Sequence, residues 1–448
     1  MAESQSTIWG AEEFKPWAEQ WANRQKLLAY RRAYYDGSIY ANVRDRFAAL
    51  GTLQASLGPR LYKGTKAMFL MLSRAVDIDV GIIPGEWELA EDAPEAWGKA
   101  IDQVLAWSDW ATDGPLYIHY GAQYGVTGLK VCDVRDVRAE AQRILIKPID
   151  PCCFMLIRSA HYSAPPSMAI IVEHRYEAGE EYEYAEIIEP TRIRTYRNGE
   201  PFGFDGRKAE YTNELRFVSV LEQQHLRTGA ELGECTYEKA IPILDEVNEL
   251  ASYLADIIKK HAEAQWAIIG AEPSDLVKSG DNVWFIPQGG DAKALVASID
   301  VAGVLAFIQE VAKNAHDALP ELAFEELRSK TQIATATLEL QLMELVLKIK
   351  RVRPNYDHGL ADALRMAGKA AKSMGLTELA VLDDELLAFD AERPVIPLDR
   401  MSQIAIEQAE LSLEQQRAID PTKMAQAQYG GPSNVDQPPP ADDAQVSE

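Results

Sequence analysis

The middle of the chain carries three stretches with apolar side chains at three- and four-residue steps, the spacing that places them on one face of an α-helix. The stretches cover 243–262, 301–319 and 333–349. Their apolar positions are Ile243, Val247, Leu250, Leu254, Ile257 and Ile258, then Val304, Leu305, Ile308, Val311, Ala315 and Leu319, then Leu338, Leu342, Leu345, Val346 and Ile349. Pro320 ends the second helix, because proline lacks an N–H and its ring collides with the preceding turn.

The segment between the first two helices has a different pattern. Residues 283–286 form the apolar run VWFI, which is preceded by Asp281-Asn282 and followed by Pro287. Such a run between turn-forming residues predicts a β-strand. The sequence therefore predicts helix, strand-containing insert, helix, loop and helix in succession.

The N-terminal half combines predicted helices with predicted strands. Helical periodicity covers 11–50, with a break at Asp36-Gly37, and also 60–76 and 94–112. From Tyr117 to Leu221 the pattern favours strands, and Asn198-Gly199 is a strong turn signal within this region. The glutamates between 177 and 189 alternate with tyrosines, which predicts the solvated face of a hairpin rather than a calcium site.

A third region follows Pro354. A helix continues to Gly375, shorter helices are predicted over 376–418, and low hydrophobicity predicts a disordered tail over 426–448. The predicted fold class is α+β, mainly helical. No apolar run is long enough for a transmembrane helix, so no membrane partner is expected.

Charge limits the classes of partner. The formal net charge is −24 and the pI is about 4.8. This balance argues against a broad basic surface that grips DNA. It is compatible with a protein past which DNA moves without sticking, although charge alone favours acidity that only maintains solubility.

No motif for catalysis, metal binding or a cofactor stands out. The four cysteines lack C-x-x-C spacing and are expected to be reduced thiols. No histidine lies three or four residues from another, which excludes a local helical zinc pair. The stretch Lys63-Gly64-Thr65-Lys66 does not meet the phosphate-loop pattern. We therefore predict no enzyme activity, no metal and no cofactor.

The order of predicted parts resembles the portal proteins of tailed bacteriophages. Three short stretches look like recurring pieces of that family: RRAYYDG at 31–37, IDP at 149–151 and FIPQGGD at 285–291. The resemblance implies a portal-like architecture with wing, stem, clip and crown. The implied domains are a wing (1–242), a stem helix (243–265), a clip (266–299), a second stem helix (300–319), a tunnel loop (320–331), a long wing helix (332–375), a crown (376–425) and a disordered tail (426–448).

The resemblance also implies a function in the virion. Portal proteins form a homo-oligomeric ring of twelve subunits at one capsid vertex, through which double-stranded DNA is packaged and later ejected. The implied partners are terminase, the major capsid or scaffolding protein, and a head-completion or adaptor protein. The protein would be made in the host cytoplasm.

Candidate DNA-channel residues follow from the same resemblance. Lys259, Lys260 and Lys313 lie off the apolar stripes of the stem helices, although plain surface lysines would look the same. The tunnel loop would bring further residues near DNA, namely Leu322, Phe324, Leu327, Arg328 and Lys330. An ordinary connection between helices is the alternative for this loop. For the whole chain, the alternative is a cytoplasmic α/β enzyme or a helical adaptor without a role in nucleic-acid handling.

Overall fold

A computed structural model gives the fold of this protein. It describes residues 7–39, 71–84, 87, 89, 93–134, 142–158, 165–177, 179–204, 206–229, 232–262, 265–269, 277–279, 283–285, 291–295, 301–322, 342–390, 393 and 395. Of these, only the backbone is described at 7, 10, 252–253, 255–262, 265–269, 277–279, 283–285, 291–295, 301 and 316. α-Helices and antiparallel strands both occur there, so the predicted mixture of helix and sheet is confirmed.

Helices come before the strands in the described part of the chain. They are α1 (Lys15–Tyr35), α2 (Leu72–Ile82), α3 (Glu95–Ser108) and α4 (Trp110–Tyr124). The predicted helix over 94–112 is two helices, because Asp109 has a φ of 55° and turns the chain between them. The prediction that strands begin at Tyr117 is wrong, since α4 continues to Tyr124. Tyr117 and Ile118 are buried in the main core, and this packing outweighs their preference for strands.

Two other N-terminal predictions have different outcomes. The predicted break at Asp36-Gly37 is confirmed, because α1 ends at Tyr35 and Gly37 has a positive φ of 71°. The predicted helix over 60–76 falls mostly outside the described residues, as does the stretch Lys63–Lys66. Within the described part, α2 begins at Leu72 and extends beyond the predicted end.

The strands form two larger antiparallel sheets. A three-stranded sheet has the order β2-β1-β9, from β1 (Val126–Val134), β2 (Arg143–Ile149) and β9 (Val220–Gln224). The six-stranded sheet has the order β3-β4-β5-β6-β7, with β8 paired to β6. Its strands are β3 (Phe154–Arg158), β4 (Pro166–Glu177), β5 (Glu180–Ile188), β6 (Arg192–Arg197), β7 (Glu200–Pro201) and β8 (Glu210–Thr212).

The six-stranded sheet confirms one prediction and overturns another. Asn198 and Gly199, with φ values of 50° and 82°, join β6 to β7 in the predicted turn. The solvated-face prediction is wrong for Glu183 and Glu186, which are 6% and 7% exposed. The N-terminal segment covers Glu183, because the backbone N–H of Ile8 donates a hydrogen bond of 3.2 Å to Glu183 Oε1. The Glu186 carboxylate accepts a hydrogen bond of 2.6 Å from Lys130 Nζ.

Two helices with an insert between them follow the sheets. α5 (Ile241–Ala262) packs along α6 (Val301–Asp317), and we call this pair the helical hairpin. In the insert, β10 (Gln265–Ile269) pairs with β13 (Asp291–Leu295), and β11 (Val277–Ser279) pairs with β12 (Val283–Phe285). The helices predicted over 243–265 and 300–319 and the strand predicted at 283–286 are therefore present, with small differences at their ends.

The longest described helix is α7 (Met343–Met374), and it does not break at Pro354. A proline leaves the carbonyl four residues earlier, here that of Lys350, without its helical partner. Pro354 and Lys350 both lie on the exposed side of α7, where water can solvate that carbonyl. The first predicted turns of this helix, 332–341, lie outside the described residues.

The sequence predicts shorter helices of a separate crown from residue 376, and the structure differs from this prediction over 376–390. This segment forms turns and a 3₁₀ turn, Ala380–Leu382, and packs on α7. Leu379, Leu382 and Leu387 are buried in the same core as α7. The remainder of 376–425, apart from positions 393 and 395, and the tail over 426–448 lie outside the described residues.

The main core brings α3, α4, β1, β2, α7 and the segment after it together. We call this assembly, with α1, α2 and the six-stranded sheet, the body. Arg353 ties α7 to the end of α2 by donating hydrogen bonds to the carbonyls of Ile82 (3.1 Å) and Ile83 (2.9 Å). These carbonyls are the ones that a helix C-terminus leaves unpaired. Burial and the neighbouring Arg393 lower the pKa of Arg353 to about 10.

Candidate functional site

The helical hairpin carries three of the predicted channel residues, Lys259, Lys260 and Lys313. On α6 the side chains of Ile308, Val311 and Ala315 are buried, at the spacing of one helical face. On α5 the side chains of Leu244 and Val247 are buried. The two helices therefore bury their apolar faces against each other and against the body.

Part of the apolar surface of α6 stays uncovered. Leu305 and Phe307, near the N-terminal end of α6, are 46% and 49% exposed. Lys313 is exposed further along the same helix. Because Leu305 and Phe307 are two residues apart, they lie on different sides of α6, and the start of this helix therefore exposes apolar side chains on more than one side.

The start of α5 is attached to α1 and its surroundings by tyrosine hydroxyls. Tyr34 OH donates a hydrogen bond of 2.7 Å to Asp245 Oδ2 on α5. Just before α5, Tyr237 OH lies 2.8 Å from the carbonyl of Arg31 and 3.0 Å from that of Gln123. These contacts fix where the first helix of the hairpin leaves the body.

The end of α6 is attached to the body by a buried cluster of charges. Asp79 on α2, Glu321 just after α6, and Lys348 on α7 meet there. The Asp79 and Glu321 side chains are fully buried, and that of Lys348 is 15% exposed. Lys348 Nζ forms a close ion pair with Glu321 Oε1 and lies 3.9 Å from Asp79 Oδ2. We call these three residues the charge cluster.

A chain of polar side chains continues from the charge cluster. Thr236 Oγ1 donates a hydrogen bond to Asp79 Oδ2 and lies 3.1 Å from His225 Nε2. On the other side of the ring, His225 Nδ1 lies 2.7 Å from Tyr356 OH. His225 Nε2 is 3.8 Å from Asp79 Oδ2. The cluster is thereby connected to β9, α2 and α7 together.

Burial dominates the electrostatics of this site. It raises the pKa of Asp79, and it raises the pKa of Glu321 to about 7 with help from the Asp79 charge. Burial alone would lower the pKa of Lys348, but Asp79 and Glu321 raise it above its ordinary value. Burial, followed by the Lys348 charge, lowers the pKa of His225 well below its ordinary value. At neutral pH the site holds one cation, a neutral imidazole and two carboxyl groups that resist full ionisation.

Each carboxyl group of the charge cluster keeps one buried oxygen without a donor among the described residues. These oxygens are Asp79 Oδ1 and Glu321 Oε2. The negative charge of Asp79 raises the pKa of Glu321, so the two buried carboxyl groups resist ionising together.

The structure separates the predicted channel residues into three groups. Lys313 is exposed on α6. Lys259 and Lys260 lie on α5, but their side chains are outside the described set. Phe324, Leu327, Arg328 and Lys330 also lie outside the described residues.

Leu322 requires a correction. It is 3% exposed and packs in an apolar cluster with Leu244 and Leu319. The exposed position expected for Leu322 is therefore wrong, because the body covers its side chain.

The charge cluster has a weak signature in the sequence. Lys348 lies three residues after Leu345 and four before Val352, both of which are buried. Asp79 lies three residues after buried Val76 in the same way. A charged residue on the apolar face of a helix is the signal that predicts a buried pair. The sequence gives no indication of which partner each charge meets.

Other types of site were sought in the described residues. No group of three or more His, Cys, Asp or Glu side chains there is arranged to hold a metal ion. Among the described helices, none has the length and hydropathy that crossing a bilayer requires. Cys132, Cys152, Cys153 and Cys235 are free thiols, and burial raises the pKa of Cys152 and of Cys153 to about 12.

Part of this chain is similar to a family of known proteins. Residues 134–337 match the family described as phage portal protein, SPP1 Gp6-like. The resemblance to phage portal proteins is thereby confirmed. The match covers somewhat less than half of the chain, from the end of β1 through the six-stranded sheet, the helical hairpin and its insert. No curated protein matches the chain.

Solved structures with some similarity come from gene transfer agent (GTA) particles. A chain from the neck of native GTA computed with C12 symmetry has 14% identity and a TM-score of 0.39, covering 66% of this chain and 76% of that one. A chain from the neck of empty GTA computed with C6 symmetry has 13% identity and a TM-score of 0.42, covering 86% and 91%. A chain from the virion of native GTA has 14% identity and a TM-score of 0.37, covering 78% and 85%.

Proposed function

We propose that this protein is a portal protein that forms a ring at one vertex of a phage-type capsid. The ring is the channel through which double-stranded DNA is packaged and ejected, and it is the head–tail connector of the virion. The observation that carries this proposal is the family match over 134–337, which includes the whole helical hairpin.

The elements of the fold take the following roles in the proposal. α5 and α6 are the two stem helices, and β10 to β13 belong to the clip. The tunnel loop begins after Leu322, α7 is the long wing helix, and the body is the wing. The crown lies beyond Val395, because the segment before it packs in the body.

Ring formation accounts for the uncovered apolar residues of α6. Leu305 and Phe307 are half exposed in the single chain, on a helix that already packs along α5. A second copy of the chain, placed beside the hairpin, would remove this apolar surface from water. If each subunit made this contact with the next one and the rotation between neighbours closed on itself, the subunits would form a ring.

DNA would pass along the polar side of the hairpin. Lys313 is exposed, and exposed Glu310 and Asp317 lie on the same helix. Lys259 and Lys260 on α5 are further candidates for contact with phosphate groups. Lysines among carboxylates in a chain of net charge −24 attract DNA only weakly, which suits a duplex that has to move. Terminase, the major capsid or scaffolding protein and a head-completion protein are the proposed partners.

Electron microscopy of the purified full chain tests the proposal. The expected result is rings with a central hole. The double variant Leu305→Ser, Phe307→Ser is expected to reduce the fraction of rings, whereas the control Leu386→Ser, at a residue that is 80% exposed on the body, is expected to leave it unchanged. A monomer at every protein and salt concentration would overturn the proposal and favour an enzyme or adaptor.

The loop assignment has its own test. Deletion of residues 324–328 removes the predicted DNA-facing part of the loop and leaves Leu322 in its buried position. We expect rings to form and DNA packaging or retention in the particle to fall. Normal packaging with this deletion would contradict the loop assignment without affecting the proposal of a ring.

A further inference from the structure

We infer that Asp79, Glu321 and Lys348 are positioning residues, which fix the point where the segment after α6 leaves the body. This inference rests on the proposed function only in giving that segment the role of a channel loop. The geometry concerns the chain itself and holds for any role of the segment.

The charge cluster joins three separate parts of the chain. Asp79 lies on α2, Lys348 on α7 and Glu321 four residues after the end of α6. Lys348 Nζ is within ion-pair distance of both carboxylates and also lies 3.3 Å from the carbonyl of Thr236. A single ammonium group therefore joins two helices of the body to the first residues after the hairpin.

Glu321 lies between two buried apolar neighbours in the chain. Leu319 and Leu322 are 1% and 3% exposed and flank it in the chain. The apolar side chains hold this turn against the cluster around Leu244 without specifying one orientation. The ion pair of Glu321 with Lys348 is directional, so it specifies the orientation in which the chain continues.

The two ends of the hairpin are attached to the body by different kinds of contact. The start of α5 is held by the hydrogen bond between Tyr34 and Asp245, which is part-buried and involves a neutral hydroxyl. The end of α6 is held by the charge cluster, which is almost completely buried. The second attachment contains the buried carboxyl group of Glu321, which is ion-paired with Lys348 and whose pKa is raised to about 7, so we expect that attachment to respond to pH near neutrality.

The surroundings of the charge cluster limit how it titrates. Thr236 and Lys348 contact Asp79, and the neutral ring of His225 lies beside it. Cys235 and Tyr356 are buried nearby, and burial raises the pKa of each well above its ordinary value, so both are neutral. Arg31 contributes a positive charge toward His225. Between pH 6.5 and 8.0 the group whose ionisation changes is therefore the pair of carboxyl groups.

Hydrogen exchange on the purified full chain, measured by mass spectrometry at pH 6.5 and 8.0, tests the inference. After correction for intrinsic rates, we expect peptides covering 313–322 to lose protection at pH 8.0, where the second carboxyl group ionises. Peptides of β4 and β5 serve as the internal reference. In Glu321→Gln, a neutral side chain of the same shape, protection of 313–322 is expected to be equal at the two pH values.

Variants of Lys348 are expected to change the protection of 313–322 more than the change in pH does. Lys348→Met leaves two buried carboxyl groups without a cation, and we expect protection of 313–322 at pH 8.0 to fall by about tenfold or more. Lys348→Arg is expected to restore part of it. The matched control is Lys350→Met, because Lys350 is exposed on the same helix.

The outcomes separate this inference from the proposed function. Protection of 313–322 that is independent of pH in the natural chain, or that is unchanged in Lys348→Met, would overturn the inference. Loss of protection in the reference peptides as well would indicate general unfolding, and Glu321→Gln then decides through its pH profile. Absence of rings by electron microscopy would count against the portal function and leave the exchange result as it stands.

Discussion

The helical hairpin and helix α7 have the same kind of amphipathic sequence and different surroundings. On α7, Ile349, Leu360 and Leu364 are fully buried by other parts of the same chain. On α6, Leu305 and Phe307 belong to an apolar surface that the chain covers only in part. An apolar stripe thus predicts that a helix is covered, and it does not say whether the cover belongs to the same molecule. The following predictions test this difference between the body and the hairpin.

The largest expected effect lies in the body. Leu364→Ala removes a fully buried side chain from the core of α7. The free energy of unfolding is expected to fall by about 2–5 kcal/mol, since the cavity cannot close completely. Urea unfolding followed by circular dichroism measures this change. The control Leu386→Ala, at an 80% exposed position, should change it by less than about 0.5 kcal/mol.

A smaller effect is expected where α4 meets α7. A Cβ atom at Gly121 would lie 1.9 Å from Tyr356 OH, which is itself hydrogen-bonded to His225. Gly121→Ala is therefore expected to lower the free energy of unfolding by about 1–3 kcal/mol through overpacking. Gly98→Ala on α3, where a Cβ meets nothing within 4 Å, is the control. Equal stability of the Gly121 variant and the natural protein would contradict the close packing.

The charge cluster contributes a pH-dependent effect of intermediate size. The pKa of Glu321 is raised to about 7, so the folded chain holds a proton that the unfolded chain releases near its ordinary pKa. The folded state then binds more protons, and its stability falls as pH rises through 7. Between pH 6.5 and 8.0 we expect a loss of roughly 1 kcal/mol. Urea unfolding at both values should detect it, and Glu321→Gln should abolish it.

Other titrating groups set the pH range in which that measurement can be assigned to Glu321. Burial lowers the pKa of His225, so the unfolded chain binds a proton here before the folded chain does. The free energy of unfolding therefore falls as pH drops below about 6.5. Because burial raises the pKa of Cys152 and Cys153, stability is lost from them as pH rises above about 8.5. A loss between pH 6.5 and 8.0 that persists in Glu321→Gln would assign it to a different group.

The smallest effect on stability is expected in the hairpin. Leu305→Ser combined with Phe307→Ser changes two half-exposed residues, and the unfolding free energy of the monomer should change by only about 0.5–1 kcal/mol. The same variant is expected to associate less in analytical ultracentrifugation. A loss of stability as large as that of Leu364→Ala would show that the chain itself covers this surface, and the contrast with the body would fail.

Local patterns predicted those elements whose cause is local. Pro320 lies close to the end of α6, Asn198-Gly199 forms the turn between β6 and β7, and the helical stripes of α5 and α6 are present. Asp36-Gly37 ends α1 for the same kind of reason. Each of these depends on backbone preferences or on periodicity within a few residues.

Other features depend on contacts between distant residues, and there the predictions failed. Tyr117 belongs to a helix because α4 packs on α7 and β1, and Glu186 is buried because Lys130 lies on a neighbouring sheet. Leu322 faces the body because Leu244 and Leu319 surround it.

The sequence by itself determined the order of the parts and, through that order, the resemblance to portal proteins. It also determined the negative charge and the amphipathic faces of the hairpin, since these follow from residue type and spacing. Only the tertiary structure decided that Asp79, Glu321 and Lys348 meet, because they are far apart in the chain and are joined by folding. The energy of such a cluster depends on burial and on distances between charges, which spacing along the sequence does not contain.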